Sequence, residues 1–257
     1  MSNEVPEEFK GFEIAPRNDV GYVIGEDGVT RSTEEAKAER MREHYRSCGI
    51  PDAYLKFTLA HYTPQMSASG DLLGPAEIKK KESVKKLIDS YLKIIHRICG
   101  GWPLIVKRTK NDKQGKEISS LILRGGIGSG KTMLASIIAK EAAAKYLQVR
   151  YLRYTDLMAS FMPMWGNEDE QSKIVKEFGY VDLVIIDGLK DVNSDDNKFV
   201  GLANNLERLA KVRADSGKPT IITIDETERI SSGHPMRSLI ELCTKINLPS
   251  LPPSDTI

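Results

Sequence analysis

Apolar and polar positions change their rhythm along the chain, and the change marks out its elements. Residues 1–31 carry little helical periodicity. Gly21-Tyr22-Val23-Ile24, then Gly25-Glu26-Asp27-Gly28, then Val29-Thr30-Arg31 reads as a short hairpin with glycine at its turn. Ser32 and Thr33 can cap a charged helix over Glu34–Ser47, and Gly49 and Pro51 stop it. A second helix is predicted over Ala76–Ile98, because Val84, Leu87, Ile88, Tyr91, Leu92, Ile95 and Ile98 recur at the helical period. Gly100-Gly101-Trp102-Pro103 ends it.

Beyond that point short apolar runs alternate with helical stretches. Strands are predicted at Ser119–Arg124, Val149–Arg153, Leu183–Asp187, Thr220–Ile224 and Lys245–Leu248. Helices are predicted at Thr132–Tyr146, from Asp156 to Met162, at Lys198–Ala214 and at Met236–Leu242. Apolar strands separated by helices imply an α/β fold with a parallel sheet covered on both faces. The segment Pro249–Ile257, with three prolines, reads as extended or disordered. Gly49-Ile50-Pro51 is the candidate boundary between an N-terminal extension, 1–50, and the main domain, 51–257.

Composition narrows the class without naming it. The chain has 257 residues, room for one ordinary α/β domain and a small appendage. No run of about 18 apolar residues is present to span a membrane. The first ten residues are acidic and polar, unlike a secretory signal, so a cytoplasmic location is expected. Three widely spaced cysteines, Cys48, Cys99 and Cys243, read as free thiols. A net charge of +1 gives no general case for nucleic acid. Locally, Lys79–Lys86 and Lys107–Lys116 are basic, and each is either a solvated surface or a phosphate-tracking patch.

One stretch carries specific chemistry. Gly125-Gly126-Ile127-Gly128-Ser129-Gly130-Lys131-Thr132 fits G-x-x-x-x-G-K-[ST] throughout, after a predicted strand and at the start of a helix that continues with Met133. Glycines let backbone N–H groups approach the α- and β-phosphates of a nucleotide. Lys131 would reach the β/γ oxygens, and the Thr132 hydroxyl would ligate magnesium. Leu183-Val184-Ile185-Ile186-Asp187 ends an apolar strand in an acid, the second magnesium-site group, at the carboxyl end of the sheet.

With these motifs the sequence resembles AAA+ ATPases of the DnaC/DnaI helicase-loader type and the related IstB transposition helpers. More telling than the shared ATPase motifs are Gly49-Ile50-Pro51-Asp52-Ala53-Tyr54-Leu55-Lys56-Phe57-Thr58-Leu59-Ala60-His61-Tyr62, Tyr180-Val181-Asp182-Leu183, and Lys218-Pro219-Thr220-Ile221-Ile222-Thr223. Glu228-Arg229-Ile230 and Pro235-Met236-Arg237-Ser238-Leu239 extend the likeness, which runs over roughly residues 20–245. It implies a three-layer αβα sandwich around a five-stranded parallel sheet, with a hairpin-helix extension. It also implies ATP and Mg2+ as ligands, and self-association through the ATP site. Arg237 matches the family's arginine finger, with Arg229 as the runner-up. The sensor strand's polar residue falls at Thr223 or at Asp225.

The sequence departs from that pattern in three places. The acid that usually follows the magnesium-site Asp is Gly188, and its loss typically slows hydrolysis about 10²–10⁴-fold. Asp191 is a candidate substitute or a solvated loop residue. Where family members carry zinc cysteines around a Gly-Tyr-Val hairpin, this chain has Ile14, Arg17, Thr33 and Glu35, so a metal-free remnant is expected. No arginine follows the final strand in the sensor-two place, and no helical lid is expected. The resemblance implies an accessory factor that binds a replicative DNA helicase and single-stranded DNA. The alternatives are a transposition helper and a nucleotide-holding scaffold with little hydrolysis.

Overall fold

The computed structural model describes residues 22–24, 30–63, 73–107, 115–161, 167–191 and 200–249. Contacts divide the chain into two compact units, Met1–Glu43 and His44–Ile257. In the first, strand β1 (Tyr22–Ile24) pairs antiparallel with β2 (Thr30–Ser32), Tyr22 opposite Ser32. The glycine turn between them lies outside the described residues, as do Ile14, Arg17 and the segment 250–257. Helix α1 (Glu34–Ser47) follows, capped where expected: the Thr33 hydroxyl accepts the Ala36 N–H at 3.1 Å.

The second unit is built on a five-stranded parallel sheet. Its strands are β5 (Leu121–Gly125), β6 (Val149–Arg153), β7 (Leu183–Leu189), β8 (Thr220–Asp225) and β9 (Thr244–Asn247), in the order β6-β7-β8-β5-β9. Helices α4 (Lys131–Ala143), α5 (Tyr154–Phe161), α6 (Glu168–Tyr180), α7 (Val200–Asp215) and α8 (Arg237–Leu242) connect them. Strand alternation divides the interior into two cores. Leu121, Leu123, Leu183, Ile185 and Ile221 pack with α4, while Ile122, Val184, Ile186, Ile222 and Ile224 pack with residues of α5 to α8. The central strands β5, β7 and β8 are buried on both faces over most of their length, which is why these segments read as apolar runs, while the edge strand β9 alternates buried and exposed positions. The three-layer αβα sandwich is present as expected, and strand and helix ends fall close to the positions read from the sequence.

Four features differ from the sequence reading. The helix expected over Ala76–Ile98 is two: α2 (Pro75–Lys93) and α3 (Ile95–Cys99), broken at Ile94, whose φ/ψ of −117/16 leaves the helical region. The break lets Ile88, Tyr91 and Leu92 before it and Ile95, Ile98 and Cys99 after it all reach the core. A small antiparallel pair, β3 (Leu104–Val106) with β4 (Lys116–Ile118), was not foreseen, because its strands are too short to show alternation. Helix α6 was missed because its sequence is mostly polar. Its signals are the Asn167 side chain, which accepts the Glu170 N–H at 3.2 Å, and the buried face of Ile174, Val175 and Phe178. The Gly49–Tyr62 segment forms two 3₁₀ turns, Asp52–Tyr54 and Leu59–His61.

The segments carrying the family resemblance lie partly at the amino ends of the strands. Asp182, just before β7, pairs with Lys218, just before β8, at 2.8 Å, and its other oxygen accepts the Gln148 N–H at 3.0 Å. Burial alone would raise the Asp182 carboxyl, but these partners hold it below its ordinary value. Beside them Arg213 of α7 is fully buried. Its guanidinium donates to the carbonyls of Phe178, Gly179, Val181 and Pro219 and to the Thr220 hydroxyl. Burial lowers its pKa to about 10.

Candidate functional site

The chemistry lies at the carboxyl ends of the strands. Strand β5 ends at Gly125, and the loop Gly126–Gly130 leads directly into α4. Gly128 (φ +73) and Gly130 (φ +92) hold left-handed conformations that side chains resist. A Cβ on Gly130 would stand 3.1 Å from the Tyr62 ring, so the loop also packs tightly from below. No side chain caps the start of α4, which leaves its first N–H groups for an anion. Ser129 Oγ is buried without a hydrogen-bond partner among the described residues. These are the features a phosphate cradle requires.

Lys131 Nζ donates to the Gly125 and Gly126 carbonyls at 2.6 and 2.7 Å and pairs with Asp225 Oδ2 at 3.5 Å. Desolvation raises the Asp225 carboxyl, but the Thr227 N–H and hydroxyl and the Lys131 ammonium outweigh it, so the net shift is downward. Asp225 lies opposite Gly125 in the ladder, which places it beside the loop.

Asp187 stands between β6 and β8, whose side chains grip it from both sides. Its Oδ1 accepts the Thr223 hydroxyl at 2.5 Å and the Thr132 hydroxyl at 3.2 Å, and its Oδ2 accepts the Tyr151 hydroxyl at 2.9 Å. A carboxylate and a threonine hydroxyl so close to a phosphate cradle form an all-oxygen donor set, which suits magnesium. Gly188 is exposed at φ +77 and donates its N–H to Thr223 Oγ1 at 2.7 Å. Ladder pairing between β7 and β8 shifts register from Ile186 to Leu189. An acid at position 188 would find open space but a strained backbone.

A pocket of about 310 Å³ opens beside the loop, lined by Gly128–Met133, Lys81, Tyr54, Phe57 and His61. Its aromatic wall is held in place by Lys140, which donates to the Leu55 and Phe57 carbonyls. Phe57 and His61 meet edge to face at 5.5 Å between ring centroids. Lys81 is buried on α2, 4.5 Å from the Tyr62 ring centroid, and desolvation followed by the nearby Lys85 lowers its pKa. Lys81 therefore does not belong to the basic surface expected over Lys79–Lys86. Of the other basic segment, residues 108–114 lie outside the described residues.

The structure thus gathers Gly125–Met133, Asp187, Thr223 and Asp225 at one end of the sheet. It does not bring Arg237 there. That residue opens α8, exposed, and pairs with Glu241 on the same helix at 2.6 Å. Arg229 is exposed as well. Asp191 is no free loop carboxylate: its Oδ1 accepts the Ser231 N–H and hydroxyl at 3.2 and 3.0 Å. Sequence reading missed Tyr151 and Lys81, which look like ordinary strand and helix residues. It quoted Tyr54, Phe57 and His61 without assigning them to the site.

A phosphate loop and an acid-tipped strand, separated by the intervening β8, define a P-loop nucleotide-binding domain. The comparisons place it further: residues 121–247 match the family described as "ATPase family associated with various cellular activities (AAA)". Over these residues the chain carries an AAA ATPase domain. No curated protein sequence matches it. Among solved structures, the DnaC helicase loader superposes with a TM-score of 0.52 over 77% of this chain and all of that one, at 15% identity. DnaI gives 0.47, at 16% identity, over 78% of this chain and 95% of that one. AMPPCP-bound DnaA from Aquifex aeolicus gives 0.47, at 14% identity, over 72% of this chain and half of that one. At 15% identity the likeness to the DnaC helicase loader is one of fold. Among the described residues no helix is long and apolar enough to cross a membrane.

Proposed function

We propose that the chain is an ATP-dependent accessory factor of DNA replication, of the helicase-loader type, in which ATP acts chiefly as a conformational switch. The observation that carries this reading is the pocket in which the phosphate loop meets Tyr54, Phe57 and His61 of the Gly49–Tyr62 segment. The aromatic rings suit a purine base and the loop suits the phosphates. A ligand held by both would tie that segment to the core. Such a switch works only through the ligand's differential affinity for the two arrangements. Support for the replication role comes from the resemblance of that segment to helicase loaders and from the DnaC-like fold.

Thr132 and Asp187 would hold Mg2+, which when bound neutralises charge on the phosphates. Lys131 would leave the Gly125 and Gly126 carbonyls for the β/γ oxygens. Thr223, through its bonds to Asp187 and Gly188, fits the sensor position, and Asp225 orients Lys131. Arg237 would act on the site of a neighbouring copy, because its own protomer gives it no phosphate partner. Residues 1–50 would engage the helicase, and the exposed Lys79, Lys80 and Lys86 are candidate contacts for single-stranded DNA. A second reading, a scaffold that holds nucleotide with little turnover, is favoured by Gly188, whose backbone conformation disfavours the missing acid.

ATP binding and turnover measured on one sample, with and without single-stranded DNA, test the proposal. Magnesium-dependent binding that Lys131→Ala abolishes is expected, with slow turnover that DNA raises. Unchanged affinity in Lys131→Ala would overturn the site. Binding without any turnover favours the scaffold, and failure to retain a replicative helicase in the ATP state overturns the loader.

A further inference from the structure

We infer that Tyr151 is a positioning residue for magnesium: its hydroxyl fixes the Asp187 carboxylate so that Oδ1 faces Thr132 and the phosphate loop. The inference rests on the reading of Asp187 as the magnesium-holding acid. Tyr151 lies on β6, the edge strand, opposite Ile185 in the ladder, so its side chain shares a face with Asp187 two residues on. From there it reaches Asp187 Oδ2 at 2.9 Å, while Thr223, on the opposite neighbour β8, takes Oδ1 at 2.5 Å. Donors from two strands leave the carboxylate one orientation. With glycine at position 188 no second acid helps to organise this end of the strand, so the orientation depends on those two hydroxyls together with that of Thr132, which also donates to Oδ1 at 3.2 Å.

Tyr151 is itself immobilised. It is 3% exposed, and its backbone N–H donates to the Cys48 carbonyl at 2.7 Å. Gly49, at φ +83, lies so close that a Cβ there would stand 2.3 Å from the Tyr151 carbonyl oxygen. Cys48 and Gly49 therefore cover the outer edge of β6 and hold the tyrosine against Asp187. Partners that orient a metal ligand from the second layer typically contribute about 10–100-fold to metal affinity.

Tyr151→Phe removes the donor and keeps the ring. The experiment measures ATP affinity against Mg2+ concentration, and again in EDTA, for wild type, Tyr151→Phe and Asp187→Asn. The expected result for Tyr151→Phe is a Mg2+ requirement raised about 10–100-fold, with ATP affinity in EDTA unchanged. A requirement that stays the same or falls overturns the inference, as does an equal loss of affinity with and without Mg2+, which marks a merely structural tyrosine. If wild type binds ATP equally well in EDTA, or Asp187→Asn leaves the Mg2+ requirement unaltered, the reading of Asp187 fails and the role of Tyr151 falls with it.

Discussion

Asp187 receives hydroxyl donors from three different elements, Thr132 of α4, Tyr151 of β6 and Thr223 of β8, and this convergence is what makes it a candidate site residue. Arg237 is the counter-case: its motif is legible, yet in its own protomer its partner is Glu241. Arg237→Ala should leave ATP affinity unchanged while cutting turnover in assembled protein about 10³-fold or more. The check is turnover against protein concentration, and activity within twofold of wild type would remove Arg237 from the site. The cysteines read correctly as unpaired: all three are free and buried, and burial pushes the Cys99 and Cys243 thiols up to about 12. Such thiols are poor nucleophiles at neutral pH.

At the scale of elements, Arg213 is the main brace at the amino end of the sheet. Through carbonyls of Phe178, Gly179 and Val181 it ties α7 to the end of α6, and through Pro219 and Thr220 it ties both to the start of β8. Helices α6 and α7 approach closely here, since a Cβ on Gly179 would meet Val212 at 2.6 Å. Arg213→Met would fill the space but leave buried carbonyls unpaired, so a loss of about 3 kcal/mol or more is expected in chemical denaturation. A change near zero would show that water replaces the guanidinium. Much of this element layer was legible. Strands β5, β7 and β8 announce themselves as apolar runs, whereas α6 hides in a polar stretch, and the break at Ile94 follows from packing rather than from any residue that disfavours helix.

Across the whole molecule, the segment after the acidic strand is clasped to the segment before α8. Buried His234 hydrogen-bonds the Lys190 carbonyl through Nε2 at 3.1 Å and accepts the Met236 N–H at Nδ1, while Asp191 holds Ser231. Nδ1 as acceptor requires the neutral ring. Desolvation lowers the His234 pKa more than the Lys190 carbonyl and Asp191 raise it. The unfolded chain then binds a proton first, so stability is complete above about pH 6.5 and declines as pH falls toward the folded value. Thermal unfolding scans between about pH 7.5 and pH 5.5 should show that decline in wild type and a flatter profile in His234→Ala. Equal slopes would show that His234 does not carry it. Asp182 and Asp225, both below the ordinary 3.8, contribute only further down the scale.

Local chemistry explains what could be read without coordinates. Gly125–Thr132 and Leu183–Asp187 are contiguous, and each is recognised within a few residues, the first by its glycines and the second by an apolar run ending in an acid. The α/β class follows from the same short-range pattern. Tyr151, 36 residues from Asp187, and Thr223, equally far on the other side, were set beside it only by the order of strands in the sheet. Likewise the pocket required Tyr54, Phe57, His61 and Lys81 to fold back onto a loop that follows them in sequence. Parallel pairing brings distant residues into register through crossover connections, and no local pattern in the chain encodes which side chains will meet there.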